Sequence, residues 1–198
     1  ISKLDKSFEL KEIDSKKTVR EFIGHTDNIT HITLDFEDHQ FVSASKDGSA
    51  ILWDFNSGLI KRKFKHPKGA VYSAILKDDQ LITGGSDRVI RVWDNYSGIL
   101  LYELHGHQTE ITSLNLSADN NLLLSGDLDG VIKFWDLKKK QEFFEYIQVG
   151  EKDFMVKTRD GYFYATEGAQ NNIHFVDELK VYGAGQFFNE FYRPDLIP

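Results

Sequence analysis

The stretch SGDLDGVIKFWD, which begins at Ser125, contains residue types that two kinds of functional site use. Ser125 and Asp129, with His107 upstream, have the composition of a serine-hydrolase triad, in which histidine removes the serine proton and a carboxylate orients the ring. Asp127, Asp129 and Gly130 have the composition of a calcium-binding loop, in which carboxylates alternate ahead of a glycine. The rest of the sequence indicates whether this stretch performs chemistry or stabilises a fold.

The hydrolase interpretation is disfavoured because the same set of residue types occurs three times in the chain. A hydrolase needs one nucleophile, and each set here is followed by a tryptophan, which favours burial over an open pocket. The sequence has no Gly-x-Ser-x-Gly turn, which would expose a strained nucleophile. The alternative is that these polar groups satisfy one another in a buried network that fixes local geometry. We therefore predict no catalytic residue and no enzyme activity.

The calcium interpretation fails on position and on context. With Gly130 at the sixth position of an EF-hand loop, Ser125 takes the first position and Asp136 the twelfth, where an acid and a long acid are needed. The flanking residues have the pattern of strands, whereas the loop needs helices. His105 and His107 could form a metal pair, but no third ligand is evident in the sequence. We therefore predict no metal site and no cofactor.

Composition limits the class of protein and of partner. The 198 residues, 40% hydrophobic and 28% charged, are enough for one domain with a core or for two small ones. A net charge of −7 disfavours a nucleic-acid partner, whose phosphates need a basic surface, and suits a protein that meets basic protein surfaces. The sequence has no cysteine and no apolar run long enough to span a membrane, which favours a cytoplasmic protein.

A repeat of about forty residues organises most of the chain. Trp-Asp pairs begin at residues 53, 93 and 135, and histidines lie at 25, 66 and 107. An aspartate precedes each tryptophan by six residues, and a hydroxyl residue precedes that aspartate by four. Between these markers, short β-rich runs alternate with turn signals such as the Asp-Gly pairs at 47 and 129. Four short antiparallel strands in each cycle are typical of a β-propeller blade.

Residues 24–54, which begin with Gly-His and end with Trp-Asp, resemble a WD repeat, and so do residues 66–94 and 106–136. The resemblance implies that the histidine, hydroxyl, aspartate and tryptophan of each repeat form a hydrogen-bonded tetrad inside one blade. The second repeat departs from the pattern, since Lys65 replaces the glycine before the histidine and Arg88 replaces the glycine after the aspartate. The implied structural tetrads are His25/Ser43/Asp47/Trp53, His66/Thr83/Asp87/Trp93 and His107/Ser125/Asp129/Trp135.

The resemblance predicts an all-β WD-repeat propeller, with roughly four to five blades present and a short C-terminal helix. Its predicted divisions are the end of a preceding blade (1–23), three WD repeats (24–65, 66–105 and 106–148), a degenerate blade (149–180) and a helical tail (181–198). The tail places Phe187, Phe188, Phe191 and Tyr192 on one side of a helix. Because a half blade cannot bury its own faces, we expect the remaining blades in another segment, another chain or a second copy, and favour a fragment.

Without a catalytic set, function must lie on a surface. WD-repeat propellers bind partners mostly where the loop before the first strand and the turn between the second and third strands emerge. The resemblance implies that a protein or peptide contacts the positions three and five after the histidine and the one before the turn aspartate, with a one-residue shift in the second repeat. These candidate residues are Asn28, Thr30, Lys46, Ala70, Tyr72, Ser86, Glu110, Thr112 and Leu128.

The sequence leaves two functions open. The first is a non-catalytic protein–protein interaction scaffold. The second rests on the C-terminal stretch that ends in Arg193-Pro-Asp-Leu, which is similar to the segment that closes propellers in bacterial proteins where WD repeats are joined to a caspase-like peptidase domain. In that case the chain would be a regulatory part, and the protease would lie in another segment or chain.

Overall fold

The computed structural model describes residues 6–172, 174–177, 180–183 and 191–196. These residues form strands with one four-residue α-helix and one 3₁₀ turn, which confirms the all-β class. In chain order the elements are β1 (Phe8–Lys11), β2 (Thr18–Phe22), β3 (Ile29–Asp35), β4 (Gln40–Ser45), β5 (Ser49–Asp54), β6 (Ile60–Lys65), β7 (Val71–Lys77), β8 (Gln80–Gly85), β9 (Val89–Asp94), β10 (Leu100–His105), β11 (Ile111–Leu116), β12 (Leu122–Asp127), β13 (Ile132–Asp136), β14 (Gln141–Val149), β15 (Asp153–Thr158), β16 (Phe163–Ala165), α1 (Glu167–Gln170), β17 (His174–Asp177), β18 (Lys180–Gly183) and the 3₁₀ turn Pro194–Leu196.

The chain divides into two compact units, residues 1–115 and residues 116–198. In the first unit, β3 to β6 form an antiparallel four-stranded sheet in sequence order, and β7 to β10 form a second one. These sheets lie within the predicted repeats 24–65 and 66–105. The β1–β2 hairpin is a separate two-stranded sheet. In the described chain, no helix is long and apolar enough to cross a membrane.

The aspartate of each Trp-Asp pair in the first unit caps the turn between the third and fourth strands. The Asp54 Oδ1 atom accepts hydrogen bonds from the backbone N–H and the hydroxyl of Ser57, both at 2.7 Å. Asp94 accepts the same two bonds from Ser97 at 2.6 and 2.7 Å. These bonds close the turn with polar groups that would otherwise need water, so the repeated spacing fixes where each third strand ends.

Aromatic rings fasten the β1–β2 hairpin to the first repeat. Phe8 and Phe22 stack with their centroids 4.9 Å apart. Both rings meet Phe41 and Trp53 edge-on, at centroid distances between 4.9 and 5.7 Å. All four side chains are buried, and such edge-to-face pairs add to the free energy of burying apolar surface.

In the second unit, β12 to β16 are neighbours in one sheet. The region predicted as a degenerate blade (149–180) is divided, since β15 and β16 extend the sheet of the third repeat while β17 and β18 pair as a hairpin. The short α-helix lies before this hairpin, and Phe187 and Phe188 of the predicted tail helix lie outside the described residues. Phe191 and Tyr192 pack against the cluster of Phe163, Ala165 and Ala169.

Turns between the second and third strands contain a residue with positive φ, at Gly48 (+80°) and at Arg88 (+67°) in the first unit. A non-glycine residue in this region costs about 1 kcal/mol. We therefore expect Arg88→Gly to raise the free energy of unfolding by about 0.5–1 kcal/mol in urea titrations. Gly48→Ala, the matched control, should lower it by about 1 kcal/mol or more, because a Cβ there would lie 2.7 Å from the Gly69 carbonyl oxygen. A loss of stability in Arg88→Gly would contradict this explanation.

Candidate functional site

The four marker residues of the first repeat form one hydrogen-bonded network around a buried hydroxyl and a histidine ring. The Ser43 Oγ atom lies 2.8 Å from His25 Nε2, and the Trp53 indole N–H donates to the same oxygen at 2.8 Å. On the other side of the ring, His25 Nδ1 lies 3.0 Å from Asp47 Oδ2. The carboxylate can only accept, so the His25 proton lies on Nδ1 and Nε2 accepts from the Ser43 hydroxyl.

Burial and pairing shift the pKa values of this network in a consistent direction. Burial lowers the pKa of His25 below 6.5, although Asp47 opposes this shift, and the ring is therefore neutral at pH 7. Burial by itself would raise the pKa of Asp47, but hydrogen bonds from Ser49, the Thr26 N–H and His25 hold it at about 2. A neutral ring between a carboxylate and a hydroxyl has the arrangement of a hydrolase triad, yet Ser43 is fully buried and its oxygen also accepts the Trp53 indole N–H. It cannot reach a substrate.

The second repeat contains a fifth residue in the network. The Arg91 Nη1 atom donates to Asp87 Oδ2 at 2.6 Å and lies 3.0 Å from His66 Nδ1, which is itself 3.7 Å from Asp87. Because a guanidinium can only donate, Nδ1 of His66 must accept, and the ring proton lies on Nε2. Nε2 is 2.8 Å from the Thr83 hydroxyl, which also accepts from the Trp93 indole at 2.9 Å. His25 and His66 are thus opposite tautomers in equivalent places.

In the third repeat, the structure differs from the predicted tetrad at the aspartate. Asp127 is buried and its Oδ1 accepts the N–H groups of Asp129 and Val131 at 3.2 and 3.0 Å, whereas Asp129 is exposed. In the first repeat, Ser45 stands at the position of Asp127, and its hydroxyl is too short to accept from more than the Asp47 N–H. A longer carboxylate at this position reaches both N–H groups, in addition to the backbone bond from the Gly130 N–H to the Asp127 carbonyl at 3.2 Å. The Trp135 indole donates to the fully buried Ser125 hydroxyl at 2.7 Å, and His107 is also buried.

These pKa shifts predict loss of stability in acid. Asp47 and Asp87 fold with pKa values of about 2, below the ordinary 3.8; burial opposes this lowering, and for Asp87 the contacts with His66 and Arg91 cause it. Their stabilising effect is present above pH 4 and is lost as the pH falls toward 2, about 2 kcal/mol for each group. The lowered pKa of His25 adds a loss that begins below about pH 6.5, because the unfolded chain then binds the proton more readily.

Urea titrations across this pH range measure the loss. Asp87→Asn should weaken the protein near neutral pH and show a smaller further loss between about pH 4 and pH 2. A wild-type stability that stays constant over that interval would contradict the assignment.

The structure brings several candidate partner-binding residues of the first unit together. The Lys46 N–H donates to the Asn28 carbonyl at 2.9 Å, and Asn28 and Lys46 are exposed. Ser86 bonds Ala70 in both directions, through its N–H at 3.0 Å and through its Oγ, which accepts from the Ala70 N–H at 2.8 Å. The half-buried Thr30 donates its hydroxyl to the Val71 carbonyl at 2.6 Å, so its polar group joins two sheets and is not free for a partner.

The remaining candidates differ in exposure. Tyr72 is half-buried, although a partner-contacting position is expected to be exposed, and its hydroxyl is hydrogen-bonded to Glu110; burial first and this bond second raise its pKa. Thr112 is exposed at the first unit's last strand. Leu128 belongs to the second unit, where it is 66% exposed at the tip of a turn. In the described residues, no group of three histidines or acids could hold a metal ion.

A family comparison identifies these repeats. The model described as "WD domain, G-beta repeat" (WD40) matches residues 16–54, 58–94 and 98–136, which is more than half of the chain. The chain belongs to the WD40 family. WD40 repeat domains are generally non-catalytic and generally bind other proteins.

Relatives of this WD40 chain include longer proteins. Periodic tryptophan protein 2 of Arabidopsis thaliana is 30% identical over 59% of this chain and 13% of its own length. Jouberin of Rattus norvegicus is 32% identical over 64% of this chain and 13% of its own, and pre-mRNA-processing factor 19 of Oryza sativa is 31% identical over 60% and 23%. The chain therefore spans between about an eighth and a quarter of these relatives.

Solved structures agree on the fold. The C-terminal WD40 domain of Sif2 has a TM-score of 0.68 at 22% identity, and the alignment covers 78% of this chain and 46% of that one. The computationally designed Ika8 protein has a TM-score of 0.61 at 26% identity, over 79% of this chain and 51% of that one.

Repeat spacing does not identify two residues of the WD40 networks. Arg91 lies on a strand position that holds Ile51 in the first repeat and Lys133 in the third, so the repeat alone gives no reason to place it beside a histidine. Its one sequence signal is a cation four residues after Asp87. Asp127 stands in the position of a small residue and could be found only by comparing side-chain length.

Proposed function

We propose that this WD40 chain is a non-catalytic protein–protein interaction module. Its partner binds at the edge of the first unit where the loop before each first strand and the turn between each second and third strand emerge, which we call the loop edge. The observation that carries the proposal is the separation of polar groups. Histidines, hydroxyls and carboxylates with catalytic composition are buried and paired with one another, as His25, Ser43 and Asp47 illustrate. The exposed side chains at the same ends of the strands, including Asn28 and Lys46, stand on turns fixed by backbone hydrogen bonds.

Site-specific photo-crosslinking in the native cell extract tests which edge binds. A photoreactive residue at Asn28 or Thr112 should capture a partner covalently, since both positions are exposed at the proposed edge. Asn56 and Tyr96, exposed in turns at the other ends of the strands in the same unit, are the matched controls. Capture only from the control positions would contradict the proposal.

Substitution provides a second test of the same edge. Tyr72→Ala and Lys46→Glu should both reduce recovery of the crosslinked partner in a pull-down, because tyrosine is enriched in interaction hot spots and Lys46 is an exposed charge at the same edge. Lys17→Glu, on an exposed turn of the β1–β2 hairpin, is the control. Unchanged recovery with both edge variants would refute the assignment of these residues.

We also propose that further strands, from another segment, another chain or a second copy, cover the face of β3 nearest to β1. Ile32 and Leu34 are 43% and 48% exposed there, beside an apolar groove that Phe8 and Leu10 also line. In the next sheet the position of Ile32 is taken by Ala74, which is fully buried. Light scattering of the purified chain distinguishes a second copy from the other sources.

The alternative function, a regulatory propeller segment of a bacterial caspase-like or other effector protease system, stays a hypothesis. The tail residues Arg193 and Asp195 that motivate it form a bidentate ion pair at 2.8 and 2.7 Å. The relatives named above come from plants and a rodent, so they give this alternative no support. A cytoplasmic location likewise stays a prediction.

A further inference from the structure

The loop edge of the first unit carries a row of exposed cations. Lys46, Lys65, Lys68 and Arg88 are all exposed, and we call these four residues the basic row. The turns that hold Lys46 and Arg88 also contain aspartates, but the side chains of Asp47 and Asp87 are only 4% and 3% exposed because they point into the tetrads. The buried networks thus withdraw these carboxylates from solvent and engage them in hydrogen bonds, whereas the four cations remain exposed.

Direct contacts link the loops that carry the basic row. The His66 N–H donates to the Gly48 carbonyl at 2.9 Å, which joins the loop of Lys65 to the turn of Lys46. Gly69 packs directly against the Ser86 hydroxyl, which joins the loop of Lys68 to the turn of Arg88. The four cations therefore lie on adjoining loops of one unit.

The basic row is available to a partner. Among the ion pairs of the described residues, none uses Lys46, Lys65, Lys68 or Arg88. Arg88 makes a single long bond of 3.3 Å to the Gln108 carbonyl. The acids at the two ends of the edge are engaged, since Asp27 lies 3.8 Å from Lys6 and Glu110 bonds Tyr72.

We infer that the basic row binds an acidic peptide segment of a partner protein, an inference that rests on the proposed function of this edge. The chain as a whole carries a net charge of −7, so an exposed edge of the opposite sign is the place where an acidic segment meets least repulsion. The sequence-based expectation that an acidic chain meets basic surfaces does not extend to this edge. A long polyanion such as nucleic acid would extend beyond the row onto the acidic remainder, which favours a short segment.

Fluorescence polarisation with a labelled polyglutamate peptide of about ten residues tests the inference. We expect measurable binding that weakens strongly when salt rises from about 0.1 M to about 1 M, because the screening length falls from about 10 to about 3 Å. A polyglutamine peptide of the same length should not bind. Absence of polyglutamate binding, or equal binding of polyglutamine, would overturn the inference.

A charge-matched pair of variants locates the binding. Lys46→Glu/Lys68→Glu/Arg88→Glu should weaken polyglutamate binding by about tenfold or more. Lys17→Glu/Lys138→Glu/Lys152→Glu makes the same change in net charge at exposed positions elsewhere and should change the affinity by less than about threefold. Arg88→Gly, which is expected to fold at least as well as wild type, should also weaken binding. Equal effects of the two triple variants would show that only net charge matters and would overturn the inference.

Two outcomes separate this inference from the proposed function. If single-stranded DNA of equal charge binds more tightly than polyglutamate and loses affinity in the same variants, the row is a nucleic-acid surface and the inference is wrong. If polyglutamate fails to bind while crosslinks from Asn28 and Thr112 still capture a protein, the acidic partner is wrong and the interaction edge stands. Crosslinks from the control positions alone would reject the proposed function even if polyglutamate binds.

Discussion

Thr83→Val is expected to lower the free energy of unfolding by about 2–4 kcal/mol, a large fraction of the stability of a small domain. The Thr83 hydroxyl lies 2.8 Å from His66 Nε2 and accepts the Trp93 indole N–H at 2.9 Å, and the side chain is fully buried. Valine has the same shape but no oxygen. Two buried N–H donors would lose their acceptor, and each unsatisfied donor costs about 1–3 kcal/mol.

Thr83→Ser is the matched control, since it keeps the hydroxyl and removes the methyl group. We expect it to cost about 0.5–1.5 kcal/mol, the usual effect of a small cavity. Urea unfolding followed by tryptophan fluorescence measures both variants, provided that the dependence on urea concentration is unchanged. If the serine variant lost as much stability as the valine variant, packing and not hydrogen bonding would hold this part of the second repeat.

Asp127→Ala should lower the free energy of unfolding by about 2–3 kcal/mol, whereas Asp129→Ala should change it by no more than about 0.5 kcal/mol. Asp127 is buried and its carboxylate accepts the N–H groups of residues 129 and 131, which would both lose a charged acceptor. Asp129 is exposed in the turn. The repeat alignment alone predicts the reverse order, because Asp129 stands where Asp47 stands in the first repeat.

Asp47→Ala provides the reference for this comparison. It removes the acceptor of bonds from Ser49, the Thr26 N–H and His25, and should cost at least as much as Asp127→Ala. The same urea titrations apply to all three variants. A loss in Asp129→Ala that equals the loss in Asp47→Ala would restore the aligned tetrad and refute the role of Asp127.

Repeat spacing was enough to predict the all-β class, and the resemblance to WD repeats implied which residues meet in the first two repeats. The reason is that His25, Ser43 and Trp53 must lie at fixed strand positions for one hydroxyl to contact both rings. The same spacing could not predict Asp127, because the choice between two carboxylates depends on side-chain reach and not on register. Arg91 was missed because its role requires knowledge of which groups the folded sheet places across from it.

Exposure was the least predictable property of the candidate binding edge. Thr30 and Tyr72 occupy the expected positions, but one donates to a neighbouring strand and the other to Glu110. Such bonds depend on the adjoining sheet, which a single repeat does not encode. The positive sign of the charge exposed at this edge could not be predicted either, because it follows from the burial of Asp47 and Asp87 and not from composition.

The opposite protonation of His25 and His66 gives each repeat its own spectroscopic signature. Nitrogen-15 shifts distinguish a ring protonated on Nδ1 from one protonated on Nε2, so the two histidines should separate in a long-range correlation spectrum without any mutation. Following both signals through a denaturant titration would reveal whether the neighbouring sheets melt as one cooperative unit or in succession. A substitution in Asp47 or in Arg91 could then be assigned to the sheet that it loosens, within the intact protein.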